Sequence, residues 1–257
     1  MAKTSLVKFL GNDYDLICCF GAFSEYCERC AENDISVDIL CENCKVCHNI
    51  LSEFSIFQNV ITNSKFISDE EYYFTREIPE PKPGFQTSMV YEKKIRRILS
   101  LPFGKYLFWY TNETESVFCS SIRKIYSSKS YNIVSLSNKF YEENRLDVDS
   151  SISSISEDKA VFSIGESHIK NTIKFNVNGI LQLAILISGA NVLIGQDSIV
   201  SQLSANIGIP SFIITGKNGK CRIKQDAANI IYSRRANVTP VTYQKLFGIW
   251  QTFSIFN

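Results

Sequence analysis

Apolar residues in the first third of the chain fall into short continuous runs separated by stretches of helical spacing. The runs at 15–20, Ile35–Leu40 and 57–62 predict strands, and the segments 24–33 and 43–54 predict helices. Continuous apolar runs are typical of strands that are buried on both faces of a parallel sheet. The alternation of strand and helix therefore predicts a parallel sheet with right-handed crossover connections.

The alternation is interrupted at residues 78–84, which carry three prolines and a glycine and predict an extended loop. It then resumes, with a predicted helix over 87–101 that Pro102 ends. Further strands are predicted at 106–110, 132–136, 160–164, 191–194 and 211–215, and further helices at 116–127, 179–188, 198–207 and 243–250. This pattern predicts an α/β protein with two domains, 1–103 and 104–257, the last helix being the candidate to cross back to the first domain.

Composition narrows the functional classes. The chain has 257 residues, 45% of them hydrophobic, which is typical of a globular protein with a core rather than a disordered one. A net charge of +1 does not suggest a nucleic-acid-binding surface. The sequence predicts no spanning helix and no export signal. Nine cysteines without an export signal favour a reducing compartment, and we expect a cytoplasmic protein.

The turn at Asp197 and Ser198 is the strongest candidate for a ligand site. It follows the predicted strand 191–194 and precedes the predicted helix 198–207, with Gly195 expected to allow a tight turn. A short polar side chain there caps the helix, and the free N–H groups of the first turn attract anions. Ligands of open α/β sheets bind beyond the carboxyl ends of the strands, where this turn is expected to lie. A cap without a ligand is the alternative.

The same stretch resembles the donor-site signature of family 9 glycosyltransferases, the heptosyltransferase family. The resemblance rests on the order and spacing of a helix ending at Ala190, a strand at 191–195 and a following set of small and polar residues. Those residues are Asp197, Ser198, Ala205, Gly208, Pro210 and Gly216. Two positions depart from the family pattern: Ile199 stands where the family has Gly, and Gln202 where it has His.

The resemblance implies the GT-B fold, in which two Rossmann-like parallel-sheet domains face a cleft. It also implies transfer of a sugar from a nucleotide-diphospho-sugar, such as ADP-heptose, to a hydroxyl of a glycan or lipid-linked acceptor. No metal or other cofactor is implied at the donor site. The donor-binding residues are then Asp197, Ser198, Ile199, Gln202 and Gly195, joined by Gly165 and Glu166 after a second strand.

A catalytic base is expected in the first domain, because sugar transfer requires a group that takes the acceptor proton. The resemblance aligns Gly21–Glu25 with the family's first loop, Gly-x-x-Gly-Asp, which places Glu25 at the position of the catalytic Asp. An ordinary role for Glu25 is that of a solvated acid at a helix N-terminus.

The N-terminal cysteines offer a separate interpretation. Cys27, Cys30, Cys41 and Cys44 have the pairwise spacing of a zinc site. Buried thiols are the alternative that we favour, because Cys27 and Cys30 lie one helical turn apart and free cysteine is often a small core residue.

Two functional hypotheses follow. The first is a glycosyltransferase. The second is a non-catalytic GT-B-like binding or assembly module, which a zinc ion bound by the N-terminal cysteines could stabilise. The basic run 93–97 is typical of a solvated helix face, and peripheral contact with a membrane or an anionic acceptor is its functional alternative.

Overall fold

The computed structural model describes residues 3–41, 44–54, 56–57, 59–62, 72–81, 88–102, 131–143, 145, 148–149, 152–153, 159–165, 169–215, 221–223 and 229–233. These residues form two parallel sheets with helices between the strands. The α/β fold class predicted from the sequence is therefore confirmed.

The first sheet has four strands in the order β3-β2-β1-β4. Their bounds are Lys3–Phe9 for β1, Ile35–Leu40 for β2, Asn59–Ile61 for β3 and Phe74–Ile78 for β4. All three pairings are parallel, so the carboxyl ends of the strands share one edge. The sequence pattern predicted β2 with its observed bounds and placed β3 within a longer run, but it missed β1 and β4.

Residues 15–20, predicted as the first strand, belong instead to a 19-residue helix, α1 (Asp13–Ala31). Asn12 caps this helix, its side chain accepting the Asp15 N–H while the Asp15 carboxylate accepts the Asn12 N–H. Every residue from Asp15 to Ser24 is buried, so this part of the helix is surrounded by the rest of the protein. The capping box marks the start of a helix despite the strand-like run of apolar residues, so the prediction of a strand and of a loop at 21–25 is wrong.

Two more helices cover the first sheet, α2 (Lys45–Ser52) and α3 (Ser88–Ile98). The basic run on α3 does not form a single solvated face. Arg96 is only 3% exposed and forms ion pairs with Glu25 and Glu92. Lys93 and Arg97 are exposed.

The second sheet has six parallel strands in the order β10-β9-β8-β5-β6-β7. Their bounds are Tyr131–Ser135 for β5, Ala160–Ile164 for β6, Ile173–Phe175 for β7, Ala190–Gln196 for β8, Ser211–Thr215 for β9 and Asn229–Ser233 for β10. Counted from β5, this is the Rossmann order 3-2-1-4-5-6, whose direction of winding reverses between β5 and β8. The described helices of this half are α4 (Asn138–Glu143), α5 (Ile180–Ser188) and α6 (Ile199–Ile207).

One apolar core joins the two sheets. It includes Phe9 and Phe20 from the first half and Leu183, Leu203 and Ile213 from the second. Within it, the ring of Phe20 makes edge contacts with Phe54 and Phe57. Helix α1 lies against α6, where the Asn206 side-chain amide donates to the Ile17 carbonyl at 2.6 Å. The halves are thus packed together through α1.

A second link between the halves is a helix cap supplied from outside the helix. Gly179 is the N-cap residue of α5 and has no side chain for capping. Glu53, the C-cap residue of α2, accepts the Leu181 N–H at 2.8 Å in its place. At φ +90° Gly179 has a backbone that favours glycine, and an added Cβ would lie 2.6 Å from the Glu53 carboxylate.

The predicted elements at 106–110, 116–127 and 243–250 lie outside the described residues, as does the predicted domain boundary near Gly104, which stays a prediction. No described helix is long and apolar enough to cross a membrane.

We expect the Glu53→Ala substitution to lower the free energy of unfolding by about 1 kcal/mol, because it leaves the first turn of α5 without its acceptor. Urea denaturation followed by circular dichroism measures this change. Glu32→Ala is the matched control, since Glu32 is the exposed C-cap residue of α1. Equal effects of the two substitutions would contradict the cap.

Candidate functional site

The carboxyl edges of the two sheets meet where α1 and α6 begin. The chain enters α1 directly after β1, and it enters α6 directly after β8 through Asp197 and Ser198. The Tyr14 hydroxyl donates to Asp197 Oδ1 at 2.8 Å and so bridges the two halves. Since β8 flanks the point where the winding of the second sheet reverses, this is the edge at which α/β sheets bind ligands.

Asp197 connects three segments at this junction. Its Oδ2 accepts the backbone N–H of Arg222 at 2.8 Å, while its Oδ1 accepts the Tyr14 hydroxyl at 2.8 Å. Each carboxylate oxygen thus accepts one hydrogen bond within the protein. The carboxylate holds the segment 221–223 and the first turn of α1 against the start of α6.

Arg222 provides the positive charge of the site. Its guanidinium lies 4.3 Å from the centre of the Tyr14 ring and forms an ion pair with Asp15, Nη2 to Oδ1 2.6 Å. Burial opposes the charge of Arg222, but the Asp15 carboxylate outweighs it, so the pKa of the guanidinium lies above its ordinary value. About a third of the side chain (34%) is exposed, which leaves the group accessible to a ligand.

Asp15 and Tyr14 are committed to this structure rather than free to react. Asp15 is 2% exposed and serves both the capping box of α1 and the ion pair with Arg222. Burial raises the pKa of Tyr14 above its usual range, and the neighbouring Cys18 and Asp197 add to the effect. The phenol therefore keeps its proton, and its O–H donates a hydrogen bond to Asp197.

The first turn of α6 is built as the sequence predicts, with Ser198 as its N-cap. Ser198 Oγ accepts the Ser201 N–H at 3.4 Å. The N–H groups of Ile199 and Val200 have no acceptor within the helix, as at any helix start. These N–H groups, the helix dipole and the nearby Arg222, whose backbone N–H binds Asp197, form an anion-binding arrangement.

Gly195 has a different role from the expected one. It lies within β8 rather than in a turn, and a Cβ there would collide with Ser201 Oγ. Glycine is needed because the first turn of α6 packs directly on the end of β8. The turn itself falls at Asp197 and Ser198.

Gln202 is 1% exposed, and its side-chain amide donates to Asn206 Oδ1 at 3.0 Å. Asn206 in turn donates to α1, so position 202 belongs to the contact between α6 and α1. Ile199 is half-buried and packs against the core. Ile199 therefore offers no polar side-chain group, and Gln202 uses its amide N–H on Asn206 while its Oε1 is buried and has no hydrogen-bond partner among the described residues.

Glu25 lies in the interior of α1, about 18 Å along the helix axis from Asp13 at 1.5 Å per residue. Its carboxylate pairs with Arg29 and with the buried Arg96. The loop that suggested a catalytic Glu25 does not exist, because those residues continue the helix. Its catalytic role stays a prediction that the structure places far from the junction of the sheets.

Asp13 lies where the sequence analysis expected Glu25, namely just after the first strand of the first sheet. It is the first residue of α1, beyond the carboxyl end of β1, and it is half-buried. Its Oδ1 accepts the Tyr14 N–H at 2.9 Å, and the next residue along contacts Asp197. Asp13 is thus a partly exposed carboxylate beside the start of α6.

Gly165 follows β6 at the same edge of the second sheet, with φ +102° and no atom of the described residues within 4 Å of where a Cβ would lie. Glu166 lies outside the described residues.

The cysteines proposed for zinc are divided between two places. Cys27 and Cys30 are buried on α1, whereas Cys41 follows β2 and Cys44 caps α2. Over the part of the chain that the structure describes, no three His, Cys, Asp or Glu side chains are arranged to hold a metal ion.

Sequence reasoning missed Tyr14, Asp15 and Arg222, which surround Asp197. The signal for the first two was the pairing of Asn12 with Asp15, a capping box that marks the start of a helix. Arg222 lies in the segment 217–224, which carries several Lys and Arg residues, and nothing in its local pattern pairs it with Asp15 or Asp197.

No protein-family profile and no curated protein sequence matches this chain. Several solved structures do match this chain in fold. A glycosyl transferase family 9 protein from Veillonella parvula superposes with a TM-score of 0.62 at 12% identity, over 96% of this chain and 89% of its own. The E. coli ADP-heptose LPS heptosyltransferase II gives a TM-score of 0.60 at 12% identity, over 98% and 99%. E. coli heptosyltransferase WaaC with ADP-2-deoxy-2-fluoro heptose gives 0.58 at 9%, over 96% and 99%.

The fold that the sequence motif suggested is thereby confirmed across most of the chain: two parallel sheets with interleaved helices, arranged as in the GT-B fold of family 9 glycosyltransferases and heptosyltransferases.

Proposed function

We propose that the protein is a glycosyltransferase that moves a sugar from a nucleotide-diphospho-sugar to a hydroxyl group of a glycan or lipid-linked acceptor. The observation that carries the proposal is the meeting of two helix starts, α1 and α6, at the carboxyl edges of both sheets, joined by Tyr14 and Asp197. This arrangement brings a carboxylate from one half next to an anion-binding turn from the other. One structural neighbour with the same fold, E. coli heptosyltransferase WaaC, is described both with ADP and with ADP-2-deoxy-2-fluoro heptose.

The donor diphosphate binds at the first turn of α6 in this proposal. The N–H groups of Ile199 and Val200 and the guanidinium of Arg222 supply the hydrogen bonds and the charge. Asp197 contacts no phosphate, since two carboxylate oxygens would repel it. It holds Arg222 and Tyr14 in position through its two hydrogen bonds. ADP-heptose is the donor that the neighbours suggest.

The acceptor hydroxyl loses its proton to Asp13 as the sugar is transferred. Asp13 is suited to this role because it is partly exposed at the end of β1, whereas Asp15 is buried in an ion pair. The acceptor oxygen then attacks the anomeric carbon while the nucleoside diphosphate leaves with its electron pair toward Arg222. The positive charge of Arg222 stabilises the negative charge that develops on the leaving group.

A non-catalytic binding or assembly module is the second candidate, and one observation favours it. The two side chains that depart from the family pattern are Ile199, which is apolar, and Gln202, which is buried and donates its amide N–H to Asn206. A protein that binds a nucleotide without transferring a sugar is compatible with such a site.

We expect ADP to raise the melting temperature by roughly 5–10 °C at about a hundred times its Kd. Differential scanning fluorimetry with ADP, UDP, GDP and their sugar conjugates measures the shift. The Arg222→Gln substitution should weaken ADP binding about tenfold or more, because one charge-assisted hydrogen bond to phosphate is lost.

The matched control is Arg145→Gln, which removes an exposed arginine of the same half that pairs only loosely with Asp149, Nε to Oδ2 3.9 Å. Equal nucleotide shifts in both variants would exclude Arg222 from the donor site. If no nucleotide or nucleotide-sugar stabilises the wild-type protein, the transferase proposal is wrong and the binding module remains, with a ligand of another class.

A second prediction separates the two candidate bases. The Asp13→Asn substitution should lower kcat about 10²–10⁴-fold while leaving the ADP-induced melting shift unchanged, because general-base catalysis acts on the acceptor and not on donor binding. Release of ADP from ADP-heptose in the presence of a glycan acceptor measures turnover.

Glu25→Gln is the comparison for Asp13→Asn, since it also replaces a carboxylate of α1 by an amide. We expect it to retain turnover and to lose stability through its ion pair with Arg96. If Glu25→Gln abolishes turnover in a folded protein and Asp13→Asn does not, the assignment of the base to Asp13 is wrong.

A further inference from the structure

Three cysteines are spaced three residues apart where β2 meets α2: Cys41, Cys44 and Cys47. Cys41 directly follows β2, Cys44 is the N-cap residue of α2, and Cys47 lies in its first turn. A Cys-x-x-Cys pair that begins a helix in this way is the arrangement found at dithiol redox sites, where the first thiol is exposed to a substrate and the second resolves the product.

The two thiols of the pair are in contact. Cys44 Sγ accepts the backbone N–H of Cys47 at 3.2 Å. Burial raises the pKa of the Cys47 thiol, and its hydrogen bond to Cys44 adds to the effect. The Cys44 sulfur thus contacts both the backbone and the side chain of Cys47, as a pair that can close a disulfide must.

The two thiols differ in how far they are exposed to solvent, and this difference suggests a different role for each. Cys44 is half-buried and open to a small molecule, whereas Cys47 has no exposed surface. Cys44 lies at the positive end of the α2 dipole, where its Sγ accepts the Cys47 N–H. Cys44 is thus the attacking sulfur, and Cys47 is the sulfur that a bulky reagent does not reach directly.

We propose that Cys44 and Cys47 form a dithiol–disulfide exchange site for small-molecule disulfides of the glutathione class. The Cys44 thiolate attacks one sulfur of the substrate disulfide, which forms a mixed disulfide and releases one thiolate. Cys47 then loses its proton to solvent and attacks Cys44 Sγ, which closes the intramolecular disulfide and releases the second thiolate. Two protein thiols are oxidised and one disulfide is reduced to two thiols.

Cys41 is the competing resolving thiol. It is 1% exposed, burial raises its pKa to about 12, and the charge of Cys44 adds to this effect. Cys47, by contrast, donates its backbone N–H to Cys44 Sγ. The structure therefore favours Cys47 over Cys41 as the partner.

The site does not depend on the transferase proposal. Among the charges that act on the Cys47 thiol is that of Asp13, the proposed base, so the two sites are neighbours at the same edge of the first sheet. The state of the dithiol is nonetheless measured by chemistry that involves no nucleotide and no sugar.

The test uses the full chain, reduced and then incubated with oxidised glutathione. Free thiols are alkylated, the protein is cleaved with trypsin, and the peptides are analysed without reduction by mass spectrometry. Cleavage after Lys45 separates Cys44 from Cys47, so their disulfide joins peptide 30–45 to peptide 46–65. We expect this cross-linked pair, lighter than the sum of the two free peptides by two hydrogen atoms, and fragmentation should place the bond between Cys44 and Cys47.

Variants identify each step. The Cys47→Ser substitution should trap glutathione on Cys44 as a stable mixed disulfide, because the resolving thiol is absent. Cys44→Ser should abolish both the cross-link and the adduct, and Cys41→Ser should leave the cross-link intact. Cys27, buried on α1, is an internal control that should be alkylated only after unfolding.

The proposal is overturned if folded wild-type protein gives no cross-link between the two peptides, or if the bond joins Cys47 to Cys30 or Cys41 instead. Because the wild-type result is decisive by itself, misfolding of a serine variant leaves the conclusion unaffected.

Discussion

The ion pair between Asp15 and Arg222 is the interaction on which the junction of the two halves depends. A carboxylate that is 2% exposed is costly to bury unless its charge is compensated, and Arg222 supplies that compensation from 207 residues further along the chain. The same arginine lies over the Tyr14 ring, and its backbone N–H binds Asp197. One residue thereby fixes the start of α1 relative to the start of α6, and with it the geometry of the anion-binding turn.

Local sequence pattern predicted several strands with their observed bounds. Ala160–Ile164 and Ser211–Thr215 are continuous apolar runs that are buried, as expected for inner strands of a parallel sheet, and the partly exposed Ile35–Leu40 was predicted as well. The run at 15–20 has the same appearance but lies on a helix that is buried on nearly all sides, and apolar content alone does not distinguish the two. The strand β1 was missed since Lys3 and Lys8 flank its short buried segment.

The candidate site was predictable only in part. The start of α6 was found because Ser198 and the glycine pattern around it lie close together in sequence. Tyr14, Asp15 and Arg222 were not, because their meeting is a property of how the halves pack and leaves no local pattern. Gln202 illustrates the same limit: a position that the family motif assigns to a ligand is occupied here by a contact between α6 and α1.

The single apolar core that runs from the first sheet to the second constrains how a ligand enters. Hinge motion between two domains requires a boundary that can open without exposing much apolar surface. Here Phe9, Phe20, Leu183 and Leu203 belong to one continuous cluster, so wide separation of the halves would expose its interior to water. A ligand therefore has to reach the start of α6 while the halves remain packed together, beside the partly exposed guanidinium of Arg222.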